Sequence, residues 1–318
     1  MAEPRWRDIA GAIGRIDPGR RNAITDVPGV RVGHSQAASG QRTGVTVVEP
    51  PSLPLAAGTA TINGAGELTA NLEIAERGRI ETPIYLCGTH AVGTVYQAAV
   101  EATGRGPGDV VIPVVGECDD GEMADSRTIT AADVDQALGA LGDEVAEGTV
   151  GAGTGMTCFD FPGGIGTASR TVGSHCVGVL LLCNFGDREY LDLLGTTLES
   201  PPDREPPHGS CIAVCATDAP LQPHALRRLA LRPLLGLART GSYAADGSGE
   251  IGVAFSTSGQ SGTLAGDELN GCFAAAYEAA HEAVLNCLVA GRPAERLDGT
   301  VQEQFPLERV RELRDGRH

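Results

Sequence analysis

The stretches SHCVGVLLLCNFG (174–186) and SCIAVCAT (210–217) are apolar at consecutive positions, not at alternate ones. A strand with one wet face alternates apolar and polar side chains, so unbroken runs predict strands covered on both faces. TGVTVVEP (43–50), TPIYLCG (82–88), GDVVIPVVGE (108–117) and EIGVAFSTS (250–258) are further runs of this kind, separated by helical patterns. A chain with several such strands has to stack layers of sheet and helix, which makes it an α/β protein. Its 318 residues suffice for one large domain or two ordinary ones with a sizeable core. Aromatic residues are only 4%, so Leu, Val, Ile and Ala must fill that core.

Two helical segments stand out. Over 268–290, residues Leu269, Phe273, Ala276, Ala280, Val284 and Cys287 share one stripe, with Asp267 placed to cap the start and Gly291 the end. This predicts a packing helix without chemistry. APLQPHALRRLALRPLLGLART (219–240) predicts a helix pair, or one helix broken near Pro233.

Charge and cysteine usage exclude several function classes. With 41 acidic against 24 basic residues the net charge is -17, which repels nucleic acid and anionic membrane surfaces. No stretch approaches the ~20 apolar residues needed to span a bilayer. The nine cysteines contain no C-x-x-C pair and lie in apolar segments, as expected for buried thiols in a reducing compartment. No clustered ligand set predicts a metal, and no cofactor is expected. The opening MAEPRWRDIAGAIGRID carries charges throughout and lacks a signal-peptide apolar region, so the expectation is a soluble cytoplasmic protein.

The sharpest change in composition is LESPPDREPPHG (198–209), with four prolines and four charged residues. It predicts an exposed, extended linker that stops one residue before a core strand, at Gly209-Ser210. Glycine and serine there suit an ordinary turn. They also suit self-cleavage. Attack of the Ser210 hydroxyl on the Gly209 carbonyl, then hydrolysis of the resulting ester, would leave Ser210 as a new N-terminus carrying nucleophile and amine on one residue. An α-amine has an ordinary pKa of about 7.7–8.0, well matched to a general base. No G-x-S-x-G elbow surrounds this serine, so an α/β-hydrolase is excluded.

HGSCIAVCATDAPLQPHALRRLALRPLLGLARTGS (208–242) resembles the start of the small chain of the DmpA-type aminopeptidases, the L-aminopeptidase/D-esterase and β-peptidyl aminopeptidase family of self-cleaving serine hydrolases, peptidase family S58. ITDVPGVRVGH (24–34), the stretches 64–95 and 151–170, NFGDRE (184–189) and GSGEIGVAFSTS (247–258) extend the likeness in order along the chain. The resemblance implies a four-layer αββα sandwich like that of N-terminal nucleophile hydrolases. It further implies one domain, 1–318, processed into a large chain 1–209 and a small chain 210–318, and a homotetramer of processed pairs.

By the same resemblance Ser210 matches the nucleophile and Gly209 the acyl side of the cut bond. Ser248 and Glu250 match the pair that hydrogen-bonds around the nucleophile and its amine, and Asn184 matches the oxyanion-hole amide. Glu117 matches the carboxylate that grips the substrate's free amino group. Members often carry an aromatic residue two positions later, where this chain has Asp119, a second acid that would strengthen ammonium binding or alter the substrate. The implied substrate is a short peptide, amino-acid amide or ester with an unblocked N-terminal residue, D- or β-amino acids included. The alternatives are an amidase or acyltransferase on non-peptide amides such as ω-amino acid oligomers, and a metabolite-binding protein that kept the fold without the reaction. GAGTGMTCF (151–159) lacks the Lys-Ser/Thr of a phosphate loop, so its glycines are expected to form tight turns beside the site.

Overall fold

The computed structural model describes residues 4–199, 209–259, 262 and 264–316. Its strands are β1 (Arg31–Gln36), β2 (Gly44–Glu49), β3 (Leu55–Gly64), β4 (Arg79–Ile80), β5 (Ile84–Gly88), β6 (Val114–Cys118), a small hairpin of β7 (Thr157–Cys158) and β8 (Phe161–Pro162), β9 (Gly164–Val172), β10 (His175–Asn184), β11 (Gly209–Thr217) and β12 (Ser248–Ser256). The helices are α1 (Trp6–Ala10), α2 (Asn71–Arg77), α3 (Val92–Ala102), α4 (Ala131–Gly139), α5 (Pro223–Leu237), α6 (Gly266–Ala290) and α7 (Leu307–Asp315).

A six-stranded sheet runs β4-β3-β12-β11-β10-β9, and a four-stranded sheet runs β1-β2-β5-β6. Within the larger sheet β11 lies parallel to β12 and antiparallel to β10, so the strand that begins at the Gly-Ser bond is central. Alternate residues show why both faces had to be apolar. Leu180, Leu182, Ile212 and Val214 meet Ile84, Leu86 and Val114 of the smaller sheet. Val179, Leu181, Cys211 and Ala213 instead pack under α5 and α6. On the far side, Val45, Val47, Tyr85 and Val115 pack under α3 and α4. The layers are therefore helices, sheet, sheet, helices, as expected for an αββα sandwich.

All six sequence-predicted strands form, with their ends shifted. The run 108–117 contributes only Val114–Cys118, because Pro107 and Pro113 precede a strand that needs its N–H groups. Strand β11 starts at Gly209 itself, one residue earlier than predicted. The predicted linker 198–209 falls largely on 200–208, outside the described residues.

Both helix predictions also need correcting. Helix α6 starts at Gly266, with Ala265 at the cap, so Asp267 lies inside the first turn, where a carboxylate still favours the helix dipole. Helix α5 is one continuous helix through Pro233. Its Leu226, Leu229, Ala230, Leu234 and Leu237 are all buried in the core shared with α6. That packing outweighs the roughly 3 kcal/mol penalty of an internal proline. All nine cysteines are free and buried.

Candidate active site

Ser210 is the second residue of β11, 5% exposed, and its backbone is clamped on both sides. The register pairs it with Asn184 on β10 and with Gly249 on β12. Paired residues project to the same face, so the Ser210 hydroxyl and the Asn184 amide both point toward the four-stranded sheet. There the Cys118 thiol, at the end of β6, lies beside Ser210. Gly209 is required by space: a Cβ on it would stand 2.6 Å from the Asn184 carbonyl oxygen and 2.9 Å from the Phe185 Cα.

Asn184 is fixed from two directions. Its Oδ1 accepts from the Thr157 N–H at 2.9 Å, and its Nδ2 donates to the Asp119 carbonyl at 2.8 Å. An amide nitrogen carries two hydrogens, so a second donor is available for an oxyanion. The glycine-rich segment 151–159 thus serves the site through Thr157; its glycines form a short 3₁₀ turn at Gly151–Gly153, in line with the turns expected.

Ser248 and Glu250 are two residues apart on β12 and face the other side of the sheet from the Ser210 hydroxyl. Ser248 pairs with Gly209, and Glu250 with Cys211, so the two side chains bracket the backbone of the Gly209-Ser210 bond. The Ser248 hydroxyl donates to Glu250 Oε1. Glu250 Oε2 is buried and has no hydrogen-bond partner among the described residues. Burial raises the Glu250 pKa, opposed by the Ser248 hydrogen bond. A buried carboxylate oxygen without a donor is costly, and an ammonium group formed at residue 210 would supply one.

Glu117 lies on β6 of the smaller sheet, 5% exposed. Its Oε1 accepts from the Glu67 N–H at 2.8 Å, and Thr89 Oγ1 donates to Oε2. Burial raises its pKa against these hydrogen bonds, and the Asp119 charge pushes the same way. Gly66 locates it relative to β12: a Cβ there would be 3.2 Å from Glu117 Oε1 and 3.9 Å from the Cα of Gly249, the register partner of Ser210. Gly66 thus lies between Glu117 and the β12 backbone beside Ser210, while the Glu117 side chain, paired in register with Cys87, projects to the helix side of the smaller sheet.

Asp119 is exposed, and its Oδ1 accepts from the Gly121 N–H at 3.0 Å, folded back on its own turn. Its main-chain carbonyl is what reaches the site, by holding Asn184. Four participants were not foreseen: Cys118, Thr89, Thr157 and Gly66. Gly66, Thr89 and Thr157 lie in motif-bearing stretches, and nothing local distinguishes Cys118 from a core residue.

Among the described residues no three His, Cys, Asp or Glu side chains are arranged to hold a metal ion, and no helix is long and apolar enough to cross a membrane. The arrangement offers a hydroxyl, an amide donor, a buried carboxylate waiting for a cation and a second buried carboxylate on the smaller sheet, which are the parts of an acyl-transfer site.

Comparison with known proteins agrees with this chemistry. Residues 22–302 match peptidase family S58. The β-peptidyl aminopeptidase BapA of Sphingosinicella microcystinivorans is 38% identical, over 98% of this chain and 91% of its own length. Among solved structures, a Burkholderia sp. β-aminopeptidase superposes with a TM-score of 0.88 at 39% identity, covering 98% of this chain and 99% of the other. The L-aminopeptidase D-Ala-esterase/amidase of Ochrobactrum anthropi, described as a new variant among the Ntn hydrolase fold, superposes with a TM-score of 0.88 at 30% identity, over 99% of each chain.

Proposed function

The chain belongs to peptidase family S58, and on that premise we propose that it cuts itself between Gly209 and Ser210 and then acts as an N-terminal serine aminopeptidase on short peptides, amino-acid amides or esters. The observation that carries this is the buried, unpartnered Glu250 Oε2 beside the bond to be cut. In the intact chain it is unsatisfied; cleavage creates the ammonium group it lacks.

In the mature enzyme the α-amine of Ser210 takes the hydroxyl proton as Oγ attacks the substrate carbonyl, and Asn184 donates to the developing oxyanion. The amine then returns that proton to the leaving nitrogen as the carbon–nitrogen bond breaks, leaving an acyl ester on Ser210. Water hydrolyses the ester by the same relay. Ser248 and Glu250 orient the amine. Glu117 binds the free amino group of the substrate, and Asp119 acts on the site through its carbonyl. The names of the relatives extend the substrate class to β-amino acids and D-alanyl esters. Nine free, buried cysteines fit a reducing compartment such as the cytoplasm.

The test has two parts. Intact mass spectrometry of wild type should give chains of 209 and 109 residues, the latter from 318 − 209, whereas Ser210→Ala should give one uncut chain. Free and N-acetylated anilides are then compared on wild type and Glu117→Gln. Activity confined to the free amine and lost in Glu117→Gln supports the assignment; equal rates on both substrates point to a general amidase.

A further inference from the structure

The leaving amine must stand where the α-amine of Ser210 can protonate it. That amine takes the place of the Gly209-Ser210 peptide nitrogen, next to Gly209 and its register partner Ser248. Gly209 and Ser248 both line a small cavity that continues to Phe185, Asp187, Tyr243 and Ala245. The Ser210 hydroxyl, on which the acyl ester would form, projects toward the four-stranded sheet, so the cavity at the start of β11 is the direction left for the leaving group.

Tyr243 lines this cavity and is backed by a second aromatic residue, Tyr190, outside it. Tyr243 and Tyr190 are 54% and 51% exposed, yet their rings are packed against each other with centroids 4.9 Å apart and planes at 60°. The pair is rigid. The Tyr243 hydroxyl donates to Oδ2 of the buried Asp187 at 2.5 Å, and the Tyr190 N–H donates to the Asp187 carbonyl at 3.0 Å. The Asp192 N–H donates to the Thr240 carbonyl at 3.1 Å, fastening the two tyrosine-bearing loops together. Asp187 follows Asn184 by three residues, which ties this wall to the oxyanion donor. Two half-exposed rings held by a buried carboxylate are a preformed stacking platform.

We propose that Tyr243, packed on Tyr190 and fixed by Asp187, is the specificity-determining wall of the leaving-group subsite and favours substrates whose second residue, or amine beyond the cleaved bond, is aromatic. The proposal rests on the aminopeptidase activity above. Tyr243 acts by holding the departing amine, so its effect falls on acylation and not on hydrolysis of the acyl ester, which the leaving group has already quit.

The experiment uses dipeptide amides with one accepted N-terminal residue and Gly, Leu, Phe or Trp second, assayed with processed wild type, Tyr243→Ala and Tyr243→Phe. Ring stacking predicts a kcat/KM about five- to tenfold higher for Phe and Trp than for Gly. Tyr243→Ala should bring that ratio close to one, while Tyr243→Phe, which keeps the ring and loses the Asp187 hydrogen bond, should keep most of it. Release of the small chain by each variant reports that it has folded. A flat series in wild type, or an aromatic preference unchanged in Tyr243→Ala, overturns the subsite while leaving the aminopeptidase intact. Failure of the processed enzyme on every free-amine substrate overturns the activity itself, and the subsite with it.

Discussion

Two side chains at the nucleophile make opposite demands on charge. Asn184 is neutral and doubly anchored, so its free hydrogen can meet an oxyanion without reorganisation. Asn184→Ala should lower kcat by about 10²–10³ with little change in KM, read from steady-state kinetics; an effect confined to KM would make it a substrate-positioning residue. Glu250 is held above the ordinary carboxylate range by burial. The folded chain therefore binds its proton more tightly than the unfolded chain does, and stability declines as pH rises from the ordinary carboxylate value through the raised one. This should be visible in the uncut Ser210→Ala protein. Adding Glu250→Gln should flatten that decline and raise Tm at pH 8 by roughly 2–4 °C, checked by thermal melts across pH; an unchanged slope would mean that Glu250 already has a partner.

At the level of elements, the six-stranded sheet meets its helices through missing side chains. A Cβ on Gly58 of β3 would stand 2.3 Å from the Arg227 nitrogen of α5, one on Gly252 of β12 would stand 2.4 Å from the Ala230 carbonyl oxygen, and one on Gly166 of β9 would stand 1.9 Å from the Ala283 carbonyl oxygen of α6. Gly166→Ala should therefore push α6 off the sheet and cost about 1–3 kcal/mol, measurable by denaturant unfolding of the Ser210→Ala chain. The same feature explains what could be read from the sequence and what could not. β10, β11 and β12 were legible because their side chains fill two cores at once. LAAGTATING (β3) and GIGTASRTV (β9) were not, because the close helices select Gly, Ala and Thr and erase the apolar signal. Pro233 misled for a related reason: packing kept α5 whole where local propensity predicts a break. Ser210, Ser248, Glu250, Glu117 and Asn184 were singled out through motifs carried by strand ends, and the structure places them at the ends of β6, β10, β11 and β12. Thr89 and Cys118 reach the site only through tertiary folding.

For the whole molecule, the proposed cut would fall at the first bond of a central strand. It would leave β11 of a small chain bonded to β10 of a large chain, and β12 of the small chain to β3 of the large chain. The two products should co-elute under native conditions and part only in denaturant, as size exclusion followed by denaturing electrophoresis would show. Family resemblance further implies four such pairs, and light scattering that found only a 32.7 kDa unit over a wide concentration range would exclude that assembly. The position of β11 has one more consequence. Before cleavage, β10 and β11 find each other as parts of one chain, at the high effective concentration that a short tether provides. After cleavage the same pairing would be a bimolecular reaction that has to insert a strand between two neighbours. An enzyme cut there would thus keep an arrangement that its separated chains have lost the means to reach quickly, and its lifetime would be governed by how slowly it opens, not by how readily it can reassemble.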